Sequence, residues 1–207
     1  MLRLLGRASS ANVQKVAWLL DEMEIAFTRE NYGGEFGGNR SAEYLRLNPN
    51  GVVPALVDGD AVIWESNTIL RYLANRYGPT PFYPEVPEVR AACECWMDWQ
   101  LGTLNLCMTP LYIGHVRTPP DQRDEGALER HHARAASLFG ILDEALSDRP
   151  FLAGSNPTLA EICTAIFAYR WYELALDTRG VNPNLRRWFD AIASRPKFQK
   201  HVMIGLS

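Results

Sequence analysis

Hydrophobic and polar positions follow one rhythm before residue 78 of this chain and another after residue 88. The first stretch mixes short apolar runs with helical spacing. Leu2–Leu5 (LRLL) is a compact apolar run that predicts a strand, and a Gly/Ser/Asn stretch follows it. Val13, Val16, Ala17 and Leu20 then recur at intervals of three and four, which predicts a helix; Asn12 stands where its N-cap is expected, so Ser10 falls just before a helix N-terminus. A second strand is expected near Phe27–Glu30, and the Gly- and Asn-rich segment after it reads as loop with a short irregular helix. Val53–Val57 and Ala61–Trp64, with Asp58-Gly59 between them, carry a hairpin signal; Glu65-Ser66 ends the hairpin and opens a helix through Ile69, Leu70 and Leu73. Strand, helix, strand, hairpin and helix make an α/β unit over residues 1–78.

Residues 79–87 lie in a segment dense in proline and glycine (GPTPFYPEVP) that reads as a linker. From residue 88 to 207 the pattern is helical almost throughout, over 88–116, 122–147, 158–175 and 184–194. The breaks fall at Pro119-Pro120, Pro150, Asn156-Pro157, Gly180 and Pro183. Two domains of different class are therefore expected, α/β and then all-α, with no internal repeat.

Composition narrows the partners. The 207 residues are 47% hydrophobic and 22% charged, which is ordinary globular composition. The net charge of −3 is spread among interspersed acids and bases, so neither nucleic acid nor an anionic membrane is implied, and a small molecule or another protein is. The first ten residues lack a signal-peptide core and no later run is membrane-length, which points to a cytoplasmic protein. Cys93, Cys95, Cys107 and Cys163 have no CxxC spacing, and His115, His131, His132 and His201 form no ligand motif, so no metal is expected.

Three constellations could carry chemistry, and each has a plain structural alternative. Arg7-Ala8-Ser9-Ser10-Ala11-Asn12 is a strand-to-helix turn. Free N–H donors, the partial positive charge of a helix start and a serine hydroxyl would together hold an anion such as a thiolate; the alternative is ordinary capping. Asn48-Pro49-Asn50-Gly51-Val52-Val53-Pro54 precedes a strand. There a cis Val53-Pro54 bond would leave the backbone of Val53 free to pair with an extended peptide, the alternative being a simple turn. Glu65-Ser66-Asn67 opens a helix, where the serine hydroxyl and amides suit a carboxylate and Glu65 suits an ammonium. Together they fit an amino-acid head group; the alternative is an N-cap with a flanking acid.

Order and spacing raise all three. VVPALVDGDAVIWESNTILRYLANRYG resembles the second half of a glutathione transferase N-terminal domain, and GRASSANVQKVAWLLDEMEI resembles its first half as found in bacterial cytosolic, serine-type, theta- or beta-like members. ERHHARAASLFGILDEALSDRPFLAGSNPTLAEICTA resembles the helical domain of the same family, whose usual Ser/Thr-x-x-Asp box stands here as Thr158-Leu-Ala-Glu161. The resemblance implies a thioredoxin-like domain followed by a helical one. It implies that Ser10 hydrogen-bonds the glutathione sulfur, with Asn12 and Ser9 as alternatives. It further implies that Val53 clamps the peptide beside Pro54, that Glu65 and Ser66 hold the γ-glutamyl end, and that Arg40 and Asn50 meet the glycyl carboxylate.

The implied reaction uses glutathione as co-substrate and a thiolate nucleophile. A free thiol titrates near pH 8.5, so the protein must favour the anion. No cysteine precedes Cys93, which argues against cysteine-type disulfide exchange. A second-substrate pocket is expected from Arg7, Met108, Leu111, Tyr112 and His115, with a small apolar or halogenated electrophile as partner. The family's habit implies a homodimer. Glutathione-dependent isomerisation or dehalogenation is the enzymatic alternative, and a non-catalytic binding or interaction protein is the other class.

Overall fold

The computed structural model describes residues 1–177 and 180–206, which form two compact units. The first unit comprises residues 1–80 and 197–204. Its strands are β1 (Leu2–Leu5), β2 (Phe27–Glu30), β3 (Ala55–Asp58) and β4 (Ala61–Trp64); its helices are α1 (Ala11–Glu22), α2 (Ala42–Leu47) and α3 (Ser66–Tyr77). The sheet order is β2-β1-β3-β4. β1 runs parallel to β2 with Leu2 opposite Phe27, whereas β3 is antiparallel to both β1 and β4. This is a mixed four-stranded thioredoxin-like arrangement: the order of apolar runs predicted an α/β unit, and the family resemblance implied the thioredoxin-like form.

Burial explains the pattern. Leu4, Leu5, Leu56, Val13, Val16, Leu20, Ile69, Leu70 and Leu73 are all fully buried, and they are the residues whose spacing marked strand or helix. Gly6 ends β1 where Val13 of α1 presses against the backbone; a Cβ there would collide with the valine side chain. Two boundaries differ from expectation. α1 begins at Ala11 with Ser10 at its N-cap, so Asn12 lies inside the first turn. The third strand begins at Ala55, two residues late, because Pro54 has no N–H to give a ladder.

Residues 197–201 of the short helix Pro196–His201 (α9 below) belong to this first unit, although they follow the whole helical segment in sequence. Phe198 meets Trp18 edge-on at 4.8 Å between ring centroids, and Asp21 accepts from Lys200 Nζ at 2.7 Å and pairs with His201 Nε2 at 2.8 Å. The lysine bond, helped by the histidine, holds the Asp21 carboxyl below its usual range.

The second unit spans residues 81–196 and 205–206 of those described. Residues 87–117 form one long helical rod: α4 (Pro87–Trp99), a π-helical stretch (Gln100–Leu104), α5 (Asn105–Tyr112) and a second π-helical stretch (Ile113–Arg117). Sequence periodicity read 88–116 as uniform helix; Pro110, inside α5, cannot donate to the preceding turn, and such interruptions favour wide turns nearby. α6 (Glu125–Ala145), α7 (Leu159–Glu173) and α8 (Pro183–Ala193) complete the unit. α7 is buried from Leu159 through Trp171 without a break, which makes it the central helix. Its start is closed by Thr158 and Glu161. Glu161 accepts from Thr158 N at 2.6 Å, from Leu152 N at 2.7 Å and from Trp188 Nε1 at 3.4 Å. Burial pushes the Glu161 carboxyl above its usual range, against the pull of these donors. Among the described residues, no helix is long and apolar enough to cross a membrane.

Candidate functional site

The sheet brings two helix N-termini of the first unit together. α1 leaves β1 through the turn at Ala8–Ser9, closed by Ser10 N donating to Arg7 O at 3.2 Å, and Ser10 sits at the N-cap with extended backbone (φ −80°, ψ 121°). Its side chain makes no capping bond, so the hydroxyl and the first amides of α1 keep their donors for a ligand. α3 leaves β4 at Glu65, whose φ of 68° is left-handed and uncommon for a residue with a Cβ. Such outliers persist where the surroundings hold them and cluster at ligand sites. Glu65 is exposed and makes no capping bond either.

Between these ends runs a polar cluster. Ser66 Oγ donates to Asn12 Oδ1 at 3.2 Å, and Lys15 Nζ donates to Asn67 Oδ1 at 3.2 Å. Asn12 is therefore held by Ser66, while Ser9 lies half-buried in the turn before the cap. Sequence reasoning missed Lys15. A signal existed: it is the lysine among the buried residues of α1, where Val13, Val16, Ala17, Leu19 and Leu20 make the apolar face.

The loop from residue 32 to 54 forms the adjoining wall. Val53 packs with the cluster of Leu5, Tyr44 and Ala55, and the Val53–Pro54 peptide bond is cis. Val52 O accepts from Tyr44 Oη at 2.8 Å and from Asn48 Nδ2 at 2.9 Å, so buried side chains pin the segment just before the clamp position. Burial lifts the Tyr44 hydroxyl to about 12, keeping it a neutral donor. Arg40 and Asn50 are exposed neighbours on this loop: Arg40 donates to Asn50 O at 3.2 Å and Asn50 Nδ2 to Asn48 Oδ1 at 3.3 Å. Arg7 N donates to Tyr32 O at 3.0 Å. Its side chain lies across Gly34, where a Cβ would stand 3.0 Å from the Arg7 Cδ and Nε. Gly34 has φ of 58°, so glycine suits both the backbone and the arginine above it.

The second-substrate candidates of the helical unit are placed differently. Met108 and Leu111 are fully buried, and Tyr112 is 3% exposed with the guanidinium groups of Arg170 and Arg117 over its ring, 3.8 Å and 5.1 Å from its centroid. His115 is half-buried; burial first and Arg123 second hold its pKa below the usual histidine value, so it is neutral near pH 7. Cavities open among the described residues of this unit. One of about 490 Å³ lies against His132, Trp171 and Asn182, and one of about 380 Å³ against Ile113, Arg123 and Leu128; none of the four candidates lines either. No group of His, Cys, Asp and Glu among the described residues could hold a metal ion.

A βαβ-ββα sheet with an open helix start, joined in one chain to an α-helical unit, defines a protein with a thioredoxin-like domain followed by an all-helical one. Family comparison then identifies the chain. Residues 1–75 match the N-terminal domain model of glutathione S-transferase and residues 105–196 match its C-terminal domain model. The chain belongs to the glutathione S-transferase family. It is 39% identical over 209 residues to glutathione S-transferase GstB of Escherichia coli strain K12, covering 100% of both. It is 29% identical to the disulfide-bond oxidoreductase YfcG of the same organism, over 91% of this chain and 89% of that one. The solved theta class glutathione S-transferase of Xanthomonas axonopodis pv. citri, with glutathione bound, superposes with a TM-score of 0.95 at 39% identity, covering 100% of this chain and 99% of that one.

Proposed function

We propose that this protein is a serine-type glutathione S-transferase that activates the thiolate of glutathione for attack on a small electrophile. The observation that carries the reading is the uncapped N-terminus of α1. Ser10 occupies the N-cap with its hydroxyl unused by the helix, next to free amides and the positive end of the helix dipole. In this reading the Ser10 hydroxyl donates to the glutathione sulfur, with Ser9 and Asn12 as alternatives, and Val53 clamps the peptide backbone beside Pro54. Glu65 and Ser66 hold the ammonium and carboxylate of the γ-glutamyl end, and Arg40 and Asn50 face the glycyl carboxylate. The glutathione-bound Xanthomonas relative supports glutathione as co-substrate. Thiolate formation needs the thiol pKa lowered by about one to two pH units, at about 1.4 kcal/mol for each. The sulfur then forms a bond to an electrophilic carbon, displacing a leaving group such as halide or adding to an activated double bond, with the proton released to solvent.

The second substrate in this reading is a small apolar or halogenated electrophile. The protein acts in the cytoplasm, in detoxification, as a homodimer. Exposed Phe36, Val52, Val62 and Trp64 on the first unit support an association surface. The similarity to YfcG favours one further assay, glutathione-dependent disulfide reduction, in which glutathione itself supplies the thiolate.

The test is isothermal titration with glutathione alongside the ultraviolet thiolate absorbance of the complex across pH, on wild type and Ser10→Ala. Binding in the micromolar to millimolar range, with a depressed thiol pKa that rises in the variant, supports the transferase. No binding removes the enzyme reading and leaves a binding or interaction protein. Binding with the same pKa in both proteins moves the sulfur contact to Ser9, Asn12 or the amides. Light scattering checks the dimer.

A further inference from the structure

α6 carries two stripes. Leu128, Ala135, Leu138, Phe139 and Leu142 are buried, whereas Glu129, His132, Ala133, Ala136 and Ser137, spaced i, i+3, i+4, i+7 and i+8, line the cavity of about 490 Å³. Trp171 near the end of α7, then Leu176, Asp177, Val181 and Asn182, the residue before α8, supply the rest of the lining. The volume is ordinary for a small-molecule site. Polar side chains of the lining stand unspent although nine-tenths buried. Asn182, 9% exposed, is the N-cap of α8 without capping it, and Trp171, 2% exposed, has an indole Nε1 with no hydrogen-bond partner. Buried polar groups are ordinarily satisfied, so both are fitted to a ligand with polar atoms of its own. The His132 ring is fixed beside them: it stacks on Trp171 at 5.3 Å between centroids, and its Nε2 donates to Leu176 O at 2.8 Å.

The charge of the lining has one sign. Glu129 and Asp177 belong to it, and among the described residues no lysine or arginine does. Arg186, close enough to feel Asp177, is ion-paired to Asp190 at 2.9 Å. Carboxylates set in low-dielectric walls concentrate cations, and Ala133, Ala136, Leu176 and Val181 offer apolar surface next to them. We propose that this cavity binds a small organic cation, a protonated amine with an apolar body and a hydroxyl or carbonyl oxygen. The ammonium meets Asp177 and Glu129, the apolar body lies on the alanines, Leu176 and Val181, and the oxygen accepts from Asn182 or Trp171. The same carboxylates repel an anion. The site lies wholly in the helical unit and does not depend on the glutathione reading.

The probe is tyramine; the control is 3-(4-hydroxyphenyl)propanoate, which keeps the ring and hydroxyl and carries a carboxylate in place of the ammonium. Isothermal titration on the full chain is expected to give a submillimolar Kd for tyramine and no binding of the control at the same concentrations. Asp177→Asn is expected to lose about tenfold in tyramine affinity, the scale of one hydrogen bond between charged groups, and Asn182→Ala a few-fold, each with an unfolding midpoint near wild type. Saturating S-hexylglutathione should leave the tyramine Kd unchanged. A wild type that binds tyramine no better than the control, or folded variants that both bind it like wild type, overturns the proposal. So does displacement by S-hexylglutathione, which returns the amine to the transferase site. If Asn182→Ala does not fold, Asp177→Asn alone decides. The tyramine titration needs no glutathione, so its failure is distinct from failure of the transferase reading.

Discussion

The helix starts at α7 and at α1 and α3 use the same residue types to opposite ends. At α7, Thr158 Oγ1 accepts from Ala160 N and the Glu161 carboxylate accepts from Thr158 N and Leu152 N, so the cap is closed and buried. At α1 and α3, Ser10 and Glu65 stand at the N-cap and neither side chain caps its helix. A closed start has spent its donors on the fold; an open one keeps them for a ligand. Ser or Thr with Glu near a helix N-terminus therefore says nothing of function until its partners are known. Spacing separates the two cases: Thr158 and Glu161 are three apart, the capping-box interval, whereas Glu65 and Ser66 are adjacent and cannot satisfy one another.

The contrast can be broken at either end. Glu161→Ala strips the acceptor from buried donors at α7 and should cost about 4 kcal/mol in urea unfolding. Glu161→Gln, which keeps one oxygen, should cost clearly less. Ser10→Ala should show the reverse profile, a fall of about a hundredfold in kcat/KM for conjugation, the scale for one anion-stabilising donor, with an unfolding midpoint near wild type. A large loss of stability in Ser10→Ala would mean that α1 is capped after all. Ser66→Ala should weaken glutathione binding about tenfold through the carboxylate. The smallest effect is at α9, where Asp21→Asn should cost about 0.5 kcal/mol, since the Lys200 partner is well exposed. The direction with pH follows from the lowered pKa of Asp21. Its contribution is present above the usual carboxylate pKa and is lost as pH falls through the depressed value, so amide exchange in α9 should quicken only on acidification below about pH 4.

Much of this was legible in the amino-acid sequence. Periods of two and of three to four placed the strands and most helices, because Leu4, Leu56, Val13 and Leu70 must face a core whatever surrounds them. Ser10, the Val53-Pro54 turn and Glu65-Ser66 could be named because helix starts and proline turns have local signatures. Periodicity could not show the π-helical stretches around α5, since one extra residue in a turn barely alters an apolar stripe. It could not place α9 on the first unit, because Trp18 and Phe198 are brought together only by the fold.

By itself, then, the sequence determined which segments are helix or strand, the family, and the residue types at the helix starts. These follow from local propensity, periodicity and motif spacing. Tertiary structure alone decided that Asn12 is held by Ser66 and that a lysine buried in α1 reaches Asn67 at the start of α3. Those outcomes depend on contacts between residues more than fifty positions apart, and a hydrogen bond across such a gap has no signature in the spacing of either partner.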